Sequence, residues 1–388
     1  MKAIVLEAEW APRNGARISD ADAARQWAFN ASQAYRNPSI SLQTIADPSA
    51  PGPDEVIVQV GACGICGSDV HMLETDEDNY LLLPYHLKAP VVIGHEFAGK
   101  VVAVGSNVSE IAVGELVAVE EIQWCGRCRE CRGGFLNQCR NIEDLGFTIN
   151  GGFAEYVKVD AKFCWSLTAV AERVGSEEKA LEIGALTEPT SVAYEGMFTR
   201  AGGFKPGSAV AVFGAGPIGL AATALAAAAG ASQVFVAEML PERRALAEAM
   251  GATTTLDPAT TNVAATIQEL TRGNGVAMAV ETTGNFKAVM GTIEESIGVG
   301  GKIAVVGMDA RPVEMNLIRQ QLKAGSIYGT VGHSGSWDFP NVIALMASGK
   351  IQMEKAVTRK FPLSEVVSAI DETKGRSNGK ILVKPQLF

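Results

Sequence analysis

Through residues 1–185, short β-branched runs alternate with glycine-bearing turns. Glu55-Val56-Ile57-Val58-Gln59-Val60 and Lys100-Val101-Val102-Ala103-Val104 are examples, and both predict strands. Between residues 208 and 330 the rhythm changes. Apolar runs at 209–213, 233–237, 277–282, 302–306 and 326–328 are separated by helical patterns, which predicts a parallel sheet wound on both faces. Farther on, the pattern predicts a helix around 339–348 and a last strand at 380–384. At 388 residues the chain exceeds the ~250–300 at which one hydrophobic core stops growing. The expected division is therefore a β-rich unit over 1–188, a doubly wound α/β unit over 189–330, and a segment over 331–388 that returns to the first unit.

Four stretches depart from this pattern. Residues 206–237 hold no charge, enough length to imitate a membrane span, but Gly214, Gly216, Pro217, Gly219 and Gly230 break them into strand, turn and Ala-rich helix. The apolar start, Met1 to Leu6, meets Glu7 and Glu9 too soon for a signal-peptide core, so a cytoplasmic protein with no membrane partner is expected. Residues 8–37 and 74–89 interrupt the strand pattern. They read as surface loops or short helices, or else as walls of a substrate cleft or an oligomer interface.

Composition narrows the function. The hydrophobic fraction of 47% and charged fraction of 20% belong to an ordinary folded chain, and the net charge of −10 argues against a nucleic-acid partner. Seven cysteines, an odd number, point to metal or thiol chemistry rather than a disulfide framework. Four of them form Cys125-x2-Cys128-x2-Cys131-x7-Cys139. Four thiolates at such spacing suit a closed tetrahedral zinc site that stabilises a lobe, about 121–140, and leaves no position for chemistry. An iron–sulfur cluster also takes four cysteines, but nothing nearby suggests an electron-transfer partner.

A second donor group is scattered: Cys63-Gly64-Ile65-Cys66-Gly67-Ser68-Asp69-Val70-His71, then Gly94-His95-Glu96, then Glu188-Pro189. One thiolate, one imidazole and one carboxylate would leave a zinc ion formally neutral, with a position open for substrate. In the α/β unit, Gly214-Ala215-Gly216-Pro217-Ile218-Gly219 lies between a strand and a helix, where a pyrophosphate approaches the backbone. Glu238 ends the next strand, nineteen residues after Gly219, where an acid binds ribose hydroxyls and repels a 2′-phosphate. NAD is therefore expected, although Arg243 and Arg244 could accommodate a phosphate. Thr283 and Gly307 follow later strands and are expected near the nicotinamide half.

Taken together and in this order, these motifs resemble the zinc-containing medium-chain dehydrogenases over nearly the whole chain. The resemblance implies a GroES-like β-rich catalytic domain joined to a Rossmann domain, two zinc ions per chain, and a homodimer or homotetramer. It makes Cys66, rather than Cys63, a catalytic-zinc ligand, together with His95 and Glu96. The position that alcohol dehydrogenases usually fill with cysteine falls at Glu188, as in the sorbitol, threonine and glucose dehydrogenase branches. Whether Glu96 or Glu188 binds directly, or one acts through water, stays open. The resemblance also makes Ser68 the hydroxyl that accepts the alcohol proton and His71 the outer relay. Cys63 and Cys164 are expected in the core and His86 on the surface. His333 is either ordinary or lines the substrate pocket.

The expected reaction is hydride transfer between a secondary alcohol and its ketone. Glu188, with Asp76-Glu77-Asp78-Asn79-Tyr80 and Glu121-Ile122-Gln123-Trp124, is similar to a branch that includes scyllo-inosose dehydrogenases, implying a cyclitol, sugar or polyol. Threonine, 2,3-butanediol or a simple secondary alcohol is the alternative. A zinc-free quinone or enoyl reductase would lack the four-cysteine lobe and the Gly-His-Glu ligands. A non-catalytic zinc-stabilised binding protein would not need Ser68, His71 or Glu238.

Overall fold

A computed structural model describes residues 1–333, 335 and 337–386. The chain forms two compact units. The first comprises 1–188, 359–376 and 381–388, and the second 189–358 and 377–380. The chain passes from one to the other inside the helix Thr187–Tyr194.

The first unit is β-rich. Strands β1 (Lys2–Trp10), β2 (Tyr35–Thr44), β3 (Glu55–Gly64), β4 (Val91–Val92), β5 (Glu96–Val104), β6 (Leu116–Val119), β7 (Ile122–Gln123), β8 (Glu143–Asp144), β9 (Tyr156–Asp160) and β10 (Cys164–Ser166) are joined mostly by turns. The long β3/β5 antiparallel pair is central, with β9 also on β3 and β6 on β5. Alternate residues of β3, including Val56, Val58 and Val60, are buried, as the period of two requires. Gly99 lets the two strands approach: a Cβ there would lie 2.2 Å from the Gln59 carbonyl oxygen.

The second unit holds a six-stranded parallel sheet. It is built from β11 (Ala209–Phe213), β12 (Gln233–Ala237), β13 (Thr254–Leu256), β14 (Val276–Glu281), β15 (Ile297–Val305) and β16 (Ser326–Gly329), ordered β13-β12-β11-β14-β15-β16. Its strands are almost wholly apolar because helices cover a parallel sheet on both faces. Two further strands close the chain, β17 (Val357–Pro362) and β18 (Lys380–Lys384); Leu382 and Val383 of β18 pair with Gly64 and Cys63 of β3.

The return to the first unit begins at Arg359, not at 331 as the sequence pattern suggested. The helix Asp338–Ala347 is held in the second unit by its polar residues: Thr199 Oγ1 donates to Asp338 at 2.7 Å, and Asn341 donates to Tyr194 Oη at 3.1 Å. Among the described residues, no helix is long and apolar enough to cross a membrane.

Candidate metal centre and cofactor site

Pairing of β3 with β5 sets Gly64 opposite Glu96 and Cys63 opposite Phe97. Two residues past β3, Cys66 caps the helix Gly67–His71, while His95 immediately precedes β5. Ladder register thus draws together residues far apart in sequence. The donor atoms of Cys66, His95 and Glu96 all lie within 4.8 Å of one another. Gly64 leaves room for the Glu96 carboxylate, since a Cβ there would fall 2.1 Å from its Oε2.

Asp69 braces this group. It is fully buried, accepts the Cys66 backbone N–H at 2.8 Å, and lies 3.7 Å from His95 Nδ1. A carboxylate behind Nδ1 directs the imidazole's other nitrogen forward, the usual arrangement behind a metal-ligating histidine. Burial disfavours a charged His95, but Asp69, Cys66 and Glu188 together hold its pKa well above the ordinary histidine range. Ser68 Oγ sits 3.4 Å from His95 Nε2. His71, on the same helix, is about half exposed, and its Nδ1 lies 2.6 Å from Glu74 Oε2. Glu188 is buried, and its carboxylate lies within 4.8 Å of that of Glu121 rather than in the Cys66–His95–Glu96 cluster. The donor set suits zinc: a soft thiolate, an imidazole and a hard carboxylate around a site of low formal charge.

The lobe is independent of this centre. The sulfurs of Cys125, Cys128, Cys131 and Cys139 lie within 4.8 Å of one another, with Cys128 and Cys131 3.4 Å apart. A backbone N–H from Arg127, the Asn141 amide and a further backbone N–H lower the Cys125 thiol to about 5. Burial pushes the Cys131 thiol up to about 12. Four sulfurs in one tight group, without a disulfide among them, fit a zinc site with four thiolate ligands.

In the second unit, Gly214 has φ +95°, which side-chain-bearing residues rarely adopt, and a Cβ on Gly219 would fall 2.0 Å from the Gly214 carbonyl oxygen. Pro217 and Ile218 open the helix Pro217–Ala228 directly after the glycine turn. Glu238 accepts the Ala215 N–H at 2.8 Å and the Leu240 N–H at 3.0 Å, so its carboxylate lies beside the Gly214–Gly219 turn. The Arg243 Nη1 lies 3.7 Å from where a Gly216 Cβ would be. Arg244, by contrast, is turned to the Glu238 and Met239 carbonyls and to Asp257. Thr283 and Gly307 are joined through Glu281, a residue the sequence pattern passed over. Its carboxylate accepts the Thr283 N–H at 2.7 Å, its carbonyl accepts the Gly307 N–H at 3.0 Å, and burial raises its pKa.

Other expectations met mixed outcomes. Cys63 and Cys164 are buried, as expected of core residues. His86 is not on the surface: it is 3% exposed and pairs with Asp144. Lying in a presumed loop, it offered no apolar periodicity that would signal burial. His333 is buried and packs on Phe339, ring centroids 4.7 Å apart. Asp69 could have been found from its spacing, three residues after the Cys66 N-cap.

A thiolate–imidazole–carboxylate cluster in a β-rich unit, on one chain with a Rossmann-type unit whose glycine turn has an acid beside it, is the arrangement of a metal-dependent nicotinamide dehydrogenase. Residues 52–169 match the alcohol dehydrogenase GroES-like domain and residues 217–348 match the zinc-binding dehydrogenase domain. The chain belongs to the zinc-containing medium-chain dehydrogenase family and is an oxidoreductase. It is 40% identical to scyllo-inosose 3-dehydrogenase of Thermotoga maritima, covering 99% of this chain and 98% of that protein. An alcohol dehydrogenase structure from Thermotoga maritima superposes with TM-score 0.94 at 38% identity, covering 99% of both chains. A zinc-binding dehydrogenase from Sinorhizobium meliloti, bound to NADP, superposes with TM-score 0.74 at 30% identity, covering 90% of this chain and 96% of that one.

Proposed function

We propose that this enzyme interconverts a secondary alcohol of an uncharged polyhydroxylated ring, a cyclitol or sugar, with its ketone, using NAD and two zinc ions per chain. The observation that carries the substrate class is the full-length likeness to scyllo-inosose 3-dehydrogenase. Glu188 in place of a cysteine is consistent with it.

Cys66, His95 and a carboxylate from Glu96 or Glu188 would hold the catalytic ion, and the four lobe cysteines the structural one. When bound, zinc lowers the pKa of the substrate oxygen and the nicotinamide ring exchanges the hydride. The chain's own residues manage the proton. Ser68, 3.4 Å from His95, accepts it from the alcohol. His71, oriented by Glu74, passes it to water from a half-exposed position. Glu238 supports NAD because its carboxylate would repel a 2′-phosphate. Thr283 and Gly307 line the nicotinamide half. The edge strand β16 and the exposed apolar side chains beside it support a homo-oligomer.

The deciding experiment is a turnover panel with NAD and NADP across cyclitols, sugars, linear polyols, threonine, 2,3-butanediol and cyclohexanol. A kcat/KM highest for a cyclitol or sugar with NAD is expected. A preference for threonine or a simple alcohol would overturn the substrate class, and a preference for NADP would overturn the role of Glu238.

A further inference from the structure

The insertions at 8–37 and 74–89 form one piece of structure. Ala28 and Leu87 exchange both backbone hydrogen bonds at 2.9 Å, and the Ala31 N–H donates to the Tyr85 carbonyl at 2.8 Å. Trp27 from the first insertion stacks on His86 from the second, centroids 5.8 Å apart with planes 13° from parallel. This fixes where Tyr85 sits. Its ring packs edge-on against Phe147 at 5.2 Å, and the same Phe147 packs on the ligand His95 at 4.9 Å.

The Tyr85 hydroxyl donates to Asp144 Oδ2 at 2.9 Å, and the same oxygen pairs with His86 Nε2. Pairing of β7 with β8 sets Ile122 opposite Asp144, and the Leu145 N–H donates to the Glu121 carbonyl at 3.0 Å, so Glu121 lies beside this group. The Glu121 carboxylate in turn lies within 4.8 Å of that of Glu188. Burial, with the charges of Asp144, Glu121 and Glu188, keeps the tyrosine hydroxyl protonated. With its proton committed to Asp144, that hydroxyl retains acceptor lone pairs, and an ionised Glu121 carboxylate would add further acceptors beside it.

We propose that Tyr85 and Glu121 form an acceptor wall that binds the non-reacting hydroxyls of an uncharged polyhydroxylated ring, with Asp144 and His86 as positioning residues for Tyr85. This rests on the polyol reading above. Such a wall takes hydrogen bonds from neighbouring hydroxyls and repels phosphorylated or carboxylated analogues.

The test compares a cyclitol with cyclohexanol, the same ring without the additional hydroxyls, in zinc-loaded enzyme. Tyr85→Phe and Glu121→Gln should each raise KM for the cyclitol about tenfold or more, with kcat within about threefold. Cyclohexanol kinetics and zinc content should not move. Asp144→Asn should raise the cyclitol KM in the native background and add nothing in the Tyr85→Phe background, the signature of a residue acting through another. Equal effects on both alcohols, or none in either wall variant, would overturn the wall. Absence of cyclitol turnover by the native enzyme would instead overturn the polyol reading, and the wall with it.

Discussion

At the scale of single residues, the proposed roles separate groups that would bind the metal from groups that would move a proton. Cys66, His95 and Glu96 converge on one point, whereas Ser68 stands at the edge of that point and makes no demand on the donor set. Ser68→Ala should therefore lower kcat by about 10²–10⁴-fold, the range of a lost general acid–base group, and leave the zinc content equal to that of the native protein by metal analysis. Loss of a zinc ion, or unchanged turnover, would remove Ser68 from the relay. His95 and Cys66 were legible in the sequence because their motifs are local. The long-range roles of Asp69 and His86 were less so: the spacing from Cys66 marks Asp69 as a cap partner, but Asp69 also faces a histidine 26 positions away, and His86 pairs with Asp144 across 58. No local pattern encodes such a partner.

At the scale of elements, the apolar rhythm located the strands of the parallel sheet where side chains alternate or run continuously. It marked 209–213 and 233–237 as they stand in β11 and β12. It missed the start of β15, which begins at Ile297 rather than 302. There the chain reads Ile297-Gly298-Val299-Gly300-Gly301, and its pairing with β14 skips register between Val276 and Met278. Glycines carry no apolar signal, so a bulged segment of a strand reads as a turn. How β18 is anchored was equally hidden. Lys384, almost fully buried at its end, donates to Glu178 and Glu182 at 3.0 Å each, and Lys360 also meets Glu182, at 2.7 Å. Burial pushes the Glu182 carboxyl up, but bonds from Lys360 and Lys384 outweigh it and hold the pKa below the usual glutamate range. Its stabilising contribution is therefore complete above the unfolded value near 4.5 and is lost as pH falls through the lower folded value. Glu182→Gln should cost about 1.5–3 kcal/mol at pH 7 in urea unfolding. The gap from the native protein should narrow below about pH 4.5. A gap that persists unchanged in acid would mean that packing, not charge, accounts for the loss.

At the scale of the whole molecule, the second unit's sheet has an outer strand, β16, with no neighbour on its far side among the described residues. Proteins normally blunt such an edge with charge, proline or a covering element. Here the adjoining surface is apolar instead: on the helix Leu317–Lys323, Leu317 is 68%, Ile318 54% and Leu322 77% exposed, and Ile327 of β16 is 42% exposed. Isolated exposed leucines are ordinary, but four such side chains within eleven residues beside an open strand edge would suit a two-fold interface, in which each copy presents the same patch to the other. Paired β16 strands would extend the sheet across the two copies and satisfy the open backbone groups. Ile318→Glu with Leu322→Glu would place four like charges in such an interface. Light scattering on the native protein should give a multiple of 40.8 kDa, and the double variant should shift toward the single-chain mass. It should still bind the nicotinamide cofactor, because the glycine turn after β11 lies three strands away from β16 in the sheet. A native mass of one chain, or a double variant that keeps its assembly, would assign this face some other role.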